Sequence, residues 1–171
     1  LSAGDIDAIF AGDLLNQCTG SAYGLISFEK PYFGLYGACS TFAEATMLAA
    51  LMIGAGYFKR AAAVSSSHFC SAERQFRFPL EYGGQRAPTA QWTATASGAA
   101  VLSAEGSGPY VTEVMPGIII DKGVRDISNM GAAMAPAAID SLTAYFSETG
   151  RKPEDFDLIL TGDLGLEGHS I

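Results

Sequence analysis

Histidine, cysteine and positive charge are all scarce in this chain. Of 171 residues, two are histidine (His68 and His169) and three are cysteine (Cys18, Cys39 and Cys70). An odd number of cysteines without metal-ligand spacing indicates neither a disulfide scaffold nor a zinc site. Cys39 and Cys70 could pair, but a reducing compartment accounts for the thiols more simply. Lysine and arginine total 10 against 18 acidic residues, a net charge of −8, with a pI near 4.6. That argues against nonspecific nucleic-acid binding. A local basic pocket stays compatible with it, because net charge says little about one cleft. No apolar run reaches the roughly 18–20 residues of a membrane span, and Met47 to Phe58 is short and broken by glycine. No signal peptide is visible. The chain opens on Leu1 and stops at His169-Ser170-Ile171, so it is expected to be an excerpt of a longer protein.

What is abundant is small and apolar. Hydrophobic residues make up 49%, charged residues only 16%, and 20 are glycine. The length suffices for one domain with a sizeable core, and the glycine and alanine content suggests tight packing between layers.

The chain is organised around Tyr32-Phe33-Gly34-Leu35-Tyr36-Gly37-Ala38-Cys39-Ser40-Thr41. Tyr32 to Tyr36 reads as a buried strand, and Gly37 supplies the freedom for a sharp turn. Thr41 and Glu44 fit a capping box, and Phe42 to Gly56 has helical spacing. Cys39 then lies where strand becomes helix, beside unpaired N–H groups that favour a thiolate or a bound anion. The alternative is a buried structural cysteine.

Around it, Asp5 to Asp13 reads as an apolar strand closed by a Gly-Asp turn, and Leu14 to Ile26 as a loop leading into a short helix. Arg60 to Ser67 reads as a buried strand of small residues. Residues 68–92 are irregular and long enough to be functional. They hold His68, Arg74, Arg77 and Arg86 among Phe76, Phe78, Tyr82 and Trp92. Thr93 to Ala104 and Tyr110 to Ile120 read as two antiparallel strands about the turn Glu105 to Pro109. Met130 to Thr149 is a helix pattern in which Pro136 is expected to open the true helix at its first turn. Asn129 is its simplest N-cap and Gly150 its stop. Phe156 to Leu160 reads as a further strand.

Asp5 to Leu14 and Asp155 to Leu164 match at Asp, Asp, Ile, Gly, Asp and Leu, at an offset of 150 residues. So long an offset suggests a duplicated half rather than a solenoid; chance similarity of two strand ends is the alternative.

A strand–turn–Cys–helix unit in a duplicated α/β chain resembles the thiolase-like superfamily. Within it, five motifs are similar to those of the stage V sporulation protein AD family of spore-forming bacteria. They are Gly12-Asp13-Leu14-Leu15-Asn16-Gln17, Gly34 to Thr41, Pro88 to Thr93, Asn129 to Ala138, and Leu160-Thr161-Gly162-Asp163-Leu164-Gly165. The resemblance implies a layered α/β/α/β/α fold with duplicated halves, residues 1–128 forming most of the first and 129–171 opening the second. It implies a noncatalytic protein that binds dipicolinic acid (pyridine-2,6-dicarboxylic acid), with or without calcium, and takes part in its uptake into the developing spore. Implied with it are membrane-embedded stage V sporulation proteins as partners, a peripheral place on the spore inner membrane, and a homodimer. No cofactor, metal or nucleic acid is expected.

In catalytic thiolase-like relatives the helix-start cysteine accepts the acyl group, and a histidine follows the strand that Phe156 to Leu160 resembles. Here that turn reads Thr161-Gly162-Asp163, and His169 comes later. An aspartate disfavours a thiolate where an imidazole would pair with it. The runner-up reading is therefore an acyltransferase using Cys39 on a coenzyme A thioester. For dipicolinate, a planar dianion, the candidate ligand-binding residues are Cys39, Ser40, Thr41, His68, Arg74, Arg77 and Trp92. N–H groups and guanidinium forks would hold the carboxylates and an apolar face the ring. The alternatives are a solvated arginine face, a core histidine at position 68 and a core tryptophan at position 92.

Overall fold

The computed structural model describes residues 2–15, 18–68, 93–126 and 129–170. Arg74, Arg77, Arg86, Trp92 and Cys70 lie outside the described residues. Contacts divide the chain into two compact units; of the described residues, those up to 68 and 93–114 fall in the first and those from 115 onward in the second.

The first unit is a four-stranded sheet with helices on both faces, the α/β class that the thiolase-like resemblance leads one to expect. Its strands are β1 (Ala8–Asp13), β2 (Tyr32–Leu35), β3 (Arg60–Ser66) and β4 (Ser97–Ser103), in the order β2-β1-β3-β4. β1 runs parallel to both neighbours, pairing Gly12 with Leu35 and Asp13 with Ser66. Parallel neighbours need crossovers. Helix α1 (Thr19–Leu25) leads from β1 to β2, and α2 (Thr41–Gly54) from β2 to β3. β4 returns antiparallel along β3, Val101 opposite Ala62.

Alternation along β1 sends its side chains to two cores. Ala8 and Phe10, with Ala61 and Ala63 of β3, meet Ala45 and Ala49 of α2, and Leu48, Met52 and Ile53 close the edges. On the opposite face Ile9, Ala11 and Ala62 pack with Ile6, Leu25 and Val64. Phe10 stacks on Phe33 at 4.6 Å and meets Phe58 edge-on at 6.4 Å. The methyl-sized side chains of α2 and β3 let helix and sheet approach closely. The Asp7 carboxylate accepts Lys59 N at 2.7 Å and Arg60 N at 2.9 Å, fixing the start of β3. These bonds, that of Arg60 foremost, hold its carboxyl below the usual range.

The second unit is built on α3 (Met130–Thr149). Asn129 Oδ1 caps it by accepting Ala132 N at 3.1 Å, and Gly150, at φ 70°, ends it. Tyr145 and Phe146 pack against Phe156, and the Arg151 guanidinium lies over the Phe156 ring. Helix α4 (Gly165–His169) follows.

Four expectations are corrected. Pro136 does not open α3; the helix runs through it from Met130, the capped Asn129 entry outweighing the lost hydrogen bond. Tyr32 to Leu35 is not buried: β2 is the edge strand, and Tyr32 and Phe33 are 36% and 39% exposed. Among the described residues, Tyr110 to Ile120 forms no strand, because β4 takes β3 as its antiparallel partner instead. Phe156 to Leu160 also lacks a ladder partner there, leaving Leu158 and Leu160 69% and 80% exposed.

The two matching stretches share one local feature: each begins with a turn of 3-10 helix, Ala3–Asp5 and Pro153–Asp155. Asp5 Oδ2 accepts Ser2 N at 2.7 Å, and Asp155 Oδ2 accepts Lys152 N at 2.8 Å.

Candidate functional site

Because β1, β2 and β3 are parallel, the residues following each emerge at one edge of the sheet, where ligands of α/β proteins commonly bind. Two features lie there: the Cys39 turn after β2, and a cleft beyond the ends of β1 and β3.

The turn is held from several sides. A 3-10 turn, Ala38–Ser40, runs straight into α2. Ser40 N and Ser40 Oγ both donate to Gly37 O, at 3.0 and 2.9 Å. The expected capping box is absent: Ser40 is the N-cap and makes no side-chain cap bond. Thr41 is already helical and fully buried, its Oγ1 accepting Gly37 N at 3.2 Å. The left-handed residue is Ala38, at φ 48°, and not Gly37. At Gly37 a Cβ would lie 2.5 Å from Ser40 Oγ and 2.8 Å from Glu44 Oε2, so a side chain there would push those two groups aside. Cys39 is exposed, at the entrance to α2 and near its first-turn N–H groups. Ser40 and Thr41 thus spend their hydroxyls on the turn, and backbone N–H is what this segment offers a ligand.

The cleft has a volume of about 400 Å³ and is lined by Asp13, Gly20, Ser66, Ser67, His68, Thr95, Ala96 and Ser97. His68 is exposed within it. Cys39, Ser40 and Thr41 are not in its lining; they follow β2, on the far side of β1. Its floor is stiff: Ser66 pairs with Ser97 and Ser67 N donates to Ala96 O at 2.8 Å.

Asp13 joins the two features through α1. Its Oδ1 accepts Leu15 N at 2.6 Å and its Oδ2 accepts Ser21 N at 2.5 Å. Ser21 Oγ lies 2.8 Å from Tyr32 Oη and donates to Cys18 O at 3.1 Å. Cys18, at φ 57°, donates its Sγ–H to Leu35 O at 2.8 Å. Burial, and after it the charges of Asp13 and Glu44, push the Cys18 thiol up. Burial also raises the Tyr32 phenol, with the Ser21 hydroxyl pulling the other way. Sequence reasoning missed Asp13, Cys18, Ser21 and Tyr32 as one network; a Gly-Asp pair closing a strand was the one signal for it.

With Asp13 and Glu44 here the edge is acidic, so a dianion needs added cations, and Arg74 and Arg77 lie outside the described residues. No group of three or more His, Cys, Asp or Glu among the described residues could hold a metal ion. In the second unit Asp163 Oδ1 accepts Gly165 N at 2.9 Å, and His169 is exposed on α4.

The sequence profile described as stage V sporulation protein AD matches residues 1–171. The chain belongs to the stage V sporulation protein AD family. It is 44% identical over 171 residues to stage V sporulation protein AD of Bacillus subtilis (strain 168), covering 100% of this chain and 51% of that protein. The chain thus spans about half the length of this curated relative. Among solved structures it is similar to a 3-oxoacyl-[acyl-carrier-protein] synthase III from Aquifex aeolicus VF5, with a TM-score of 0.35 and 20% identity over 41% of this chain and 25% of that one. Family membership makes this a sporulation protein. No helix among the described residues is long and apolar enough to cross a membrane.

Proposed function

We propose that this chain forms the larger part of a noncatalytic dipicolinate-binding site in a protein that takes part in dipicolinate uptake into the developing spore. Residues 1–128 belong to the first of two thiolase-like halves and 129–171 open the second. The protein acts as a homodimer, peripheral on the spore inner membrane, beside membrane-embedded stage V sporulation proteins. The observation that carries the noncatalytic reading is Asp163. Its turn is where an acyl-transferring relative would present an imidazole, and its carboxylate is used to hold Gly165 N. A residue that builds the entry of α4 supplies no base for a thiol. Further support comes from the exposed Cys39 turn, with its helix-start N–H groups, and from the hydroxyl-lined cleft that includes His68.

Titration of the full-length protein with dipicolinate, with and without calcium, tests the reading. Saturable binding, weakened about tenfold or more by His68→Ala, Arg74→Ala or Arg77→Ala, is expected, since a lost charge-assisted hydrogen bond is worth at least that, and weakened less by Cys39→Ala, which keeps the backbone N–H groups. Acyl transfer is the second reading, favoured by the exposure of Cys39 alone. A covalent acyl adduct on Cys39 after incubation with acyl-coenzyme A, seen by mass spectrometry, would replace the first reading with the second.

A further inference from the structure

The Cys39 turn departs from Leu35, and the Leu35 carbonyl is held from two directions. On one side is β1: a Cβ built on Gly12 would lie 2.7 Å from Thr41 Cγ2 and 2.9 Å from the Leu35 carbonyl carbon. Such separations are far below normal contact, so only glycine lets the end of β2 and the start of α2 sit on β1 together. On the other side is Cys18, 7% exposed, which donates its Sγ–H to Leu35 O at 2.8 Å. Beyond Leu35 the path to the exposed sulphur is short. It passes Gly37, bonded to Ser40 and Thr41, and Ala38 in its left-handed conformation.

We propose that Gly12 and the Cys18 thiol are positioning residues for Cys39: between them they fix the Leu35 carbonyl from which the Cys39 turn departs. The inference rests on the Cys39 turn being part of the site, but its test uses no dipicolinate. A failure here is therefore distinguishable from a failure of the ligand assignment. Cys18 acts by donating a proton to a carbonyl, so serine can replace it and alanine cannot. Gly12 acts by leaving space, so any side chain displaces the turn.

The experiment follows alkylation of Cys39 by iodoacetamide against pH in the full-length protein, read by peptide mapping so that other thiols do not interfere. Gly12→Ala, Cys18→Ala, Cys18→Ser and, as a structural control, Asp7→Ala are compared with the parent. A displacement of the turn is expected to change the Cys39 rate by about tenfold, and to move the midpoint of its pH profile, in Gly12→Ala and Cys18→Ala. Cys18→Ser is expected to stay within about twofold of the parent because a hydroxyl restores the donor. Asp7→Ala, whose effect lies at the far end of β3, is expected to leave the profile unchanged even where the melting temperature falls. The proposal is overturned if folded Cys18→Ala superimposes on the parent, or if Cys18→Ser and Cys18→Ala shift alike. Should Gly12→Ala fail to fold, the two Cys18 variants decide alone.

Discussion

Asp13 and Asp163 make the same bond 150 residues apart: each accepts through Oδ1 the backbone N–H two residues on, from Leu15 at 2.6 Å and from Gly165 at 2.9 Å. Asp13 also takes the N–H of Ser21 through its second oxygen, in a buried position. Loss of Asp13, which is buried, and loss of Asp163, which is exposed, should differ in cost. Asp13→Ala leaves a buried N–H without an acceptor and is expected to destabilise by about 3 kcal/mol. Asp163→Ala, at the exposed entry of a five-residue helix, is expected to cost under about 1 kcal/mol. Urea unfolding of both variants measures the difference.

Phe10 is 2% exposed and touches two further rings. Ala45 and Ala49 of the same cluster are too short to fill the void it would leave. Phe10→Ala is expected to cost about 3–5 kcal/mol, while Phe10→Leu should lose much less. Chemical denaturation at neutral pH gives both values.

Alkaline pH should expose the buried thiol. Burial holds the folded Cys18 above its ordinary value, so the unfolded chain releases this proton first. Its contribution is complete below the unfolded value, about 8.5, and is lost as pH rises from there through the folded value. Cys18→Ser removes that ionisation and is expected to flatten the decline. Tyr32→Phe is expected to act the same way nearer pH 10, where an ordinary phenol titrates, because its folded value is raised as well. Denaturation midpoints collected across this range settle the sign.

Pro136 interrupts α3 seven residues in, where its ring displaces a hydrogen bond to the carbonyl of Ala132. Replacing it should restore that bond. Pro136→Ala is expected to stabilise the second unit by about 1–3 kcal/mol and to raise helical circular dichroism. An unchanged or lower melting temperature would mean that the packing around Ala135, 1% exposed, depends on the proline.

The apolar run of Asp5 to Asp13 and the small residues of Arg60 to Ser67 were enough to foresee both central strands, because a strand enclosed on two faces is apolar without a break. The helix after Cys39 was foreseen within two residues at each end. Tyr32 to Leu35 misled because aromatic residues suit a core and an edge equally well, and composition cannot tell which neighbour is missing. Pro136 misled because a helix-opening proline and a tolerated interior one look alike without the Asn129 cap to place the start. That Cys39 and His68 follow strands at one edge of the sheet was readable as well. The link from Asp13 through Ser21 and Tyr32 was not, because it joins residues brought together only by the β1–β2 register.

Ala45 and Ala49 are buried in one cluster with Ala8, Ala61 and Ala63, and Phe10 fills the space beside these methyl groups. A rod seated so closely has little slack in which to slide. Whatever meets the tip of this helix finds its N–H groups already aimed. Capture should then freeze few additional torsions, and selectivity should come from shape rather than adjustment.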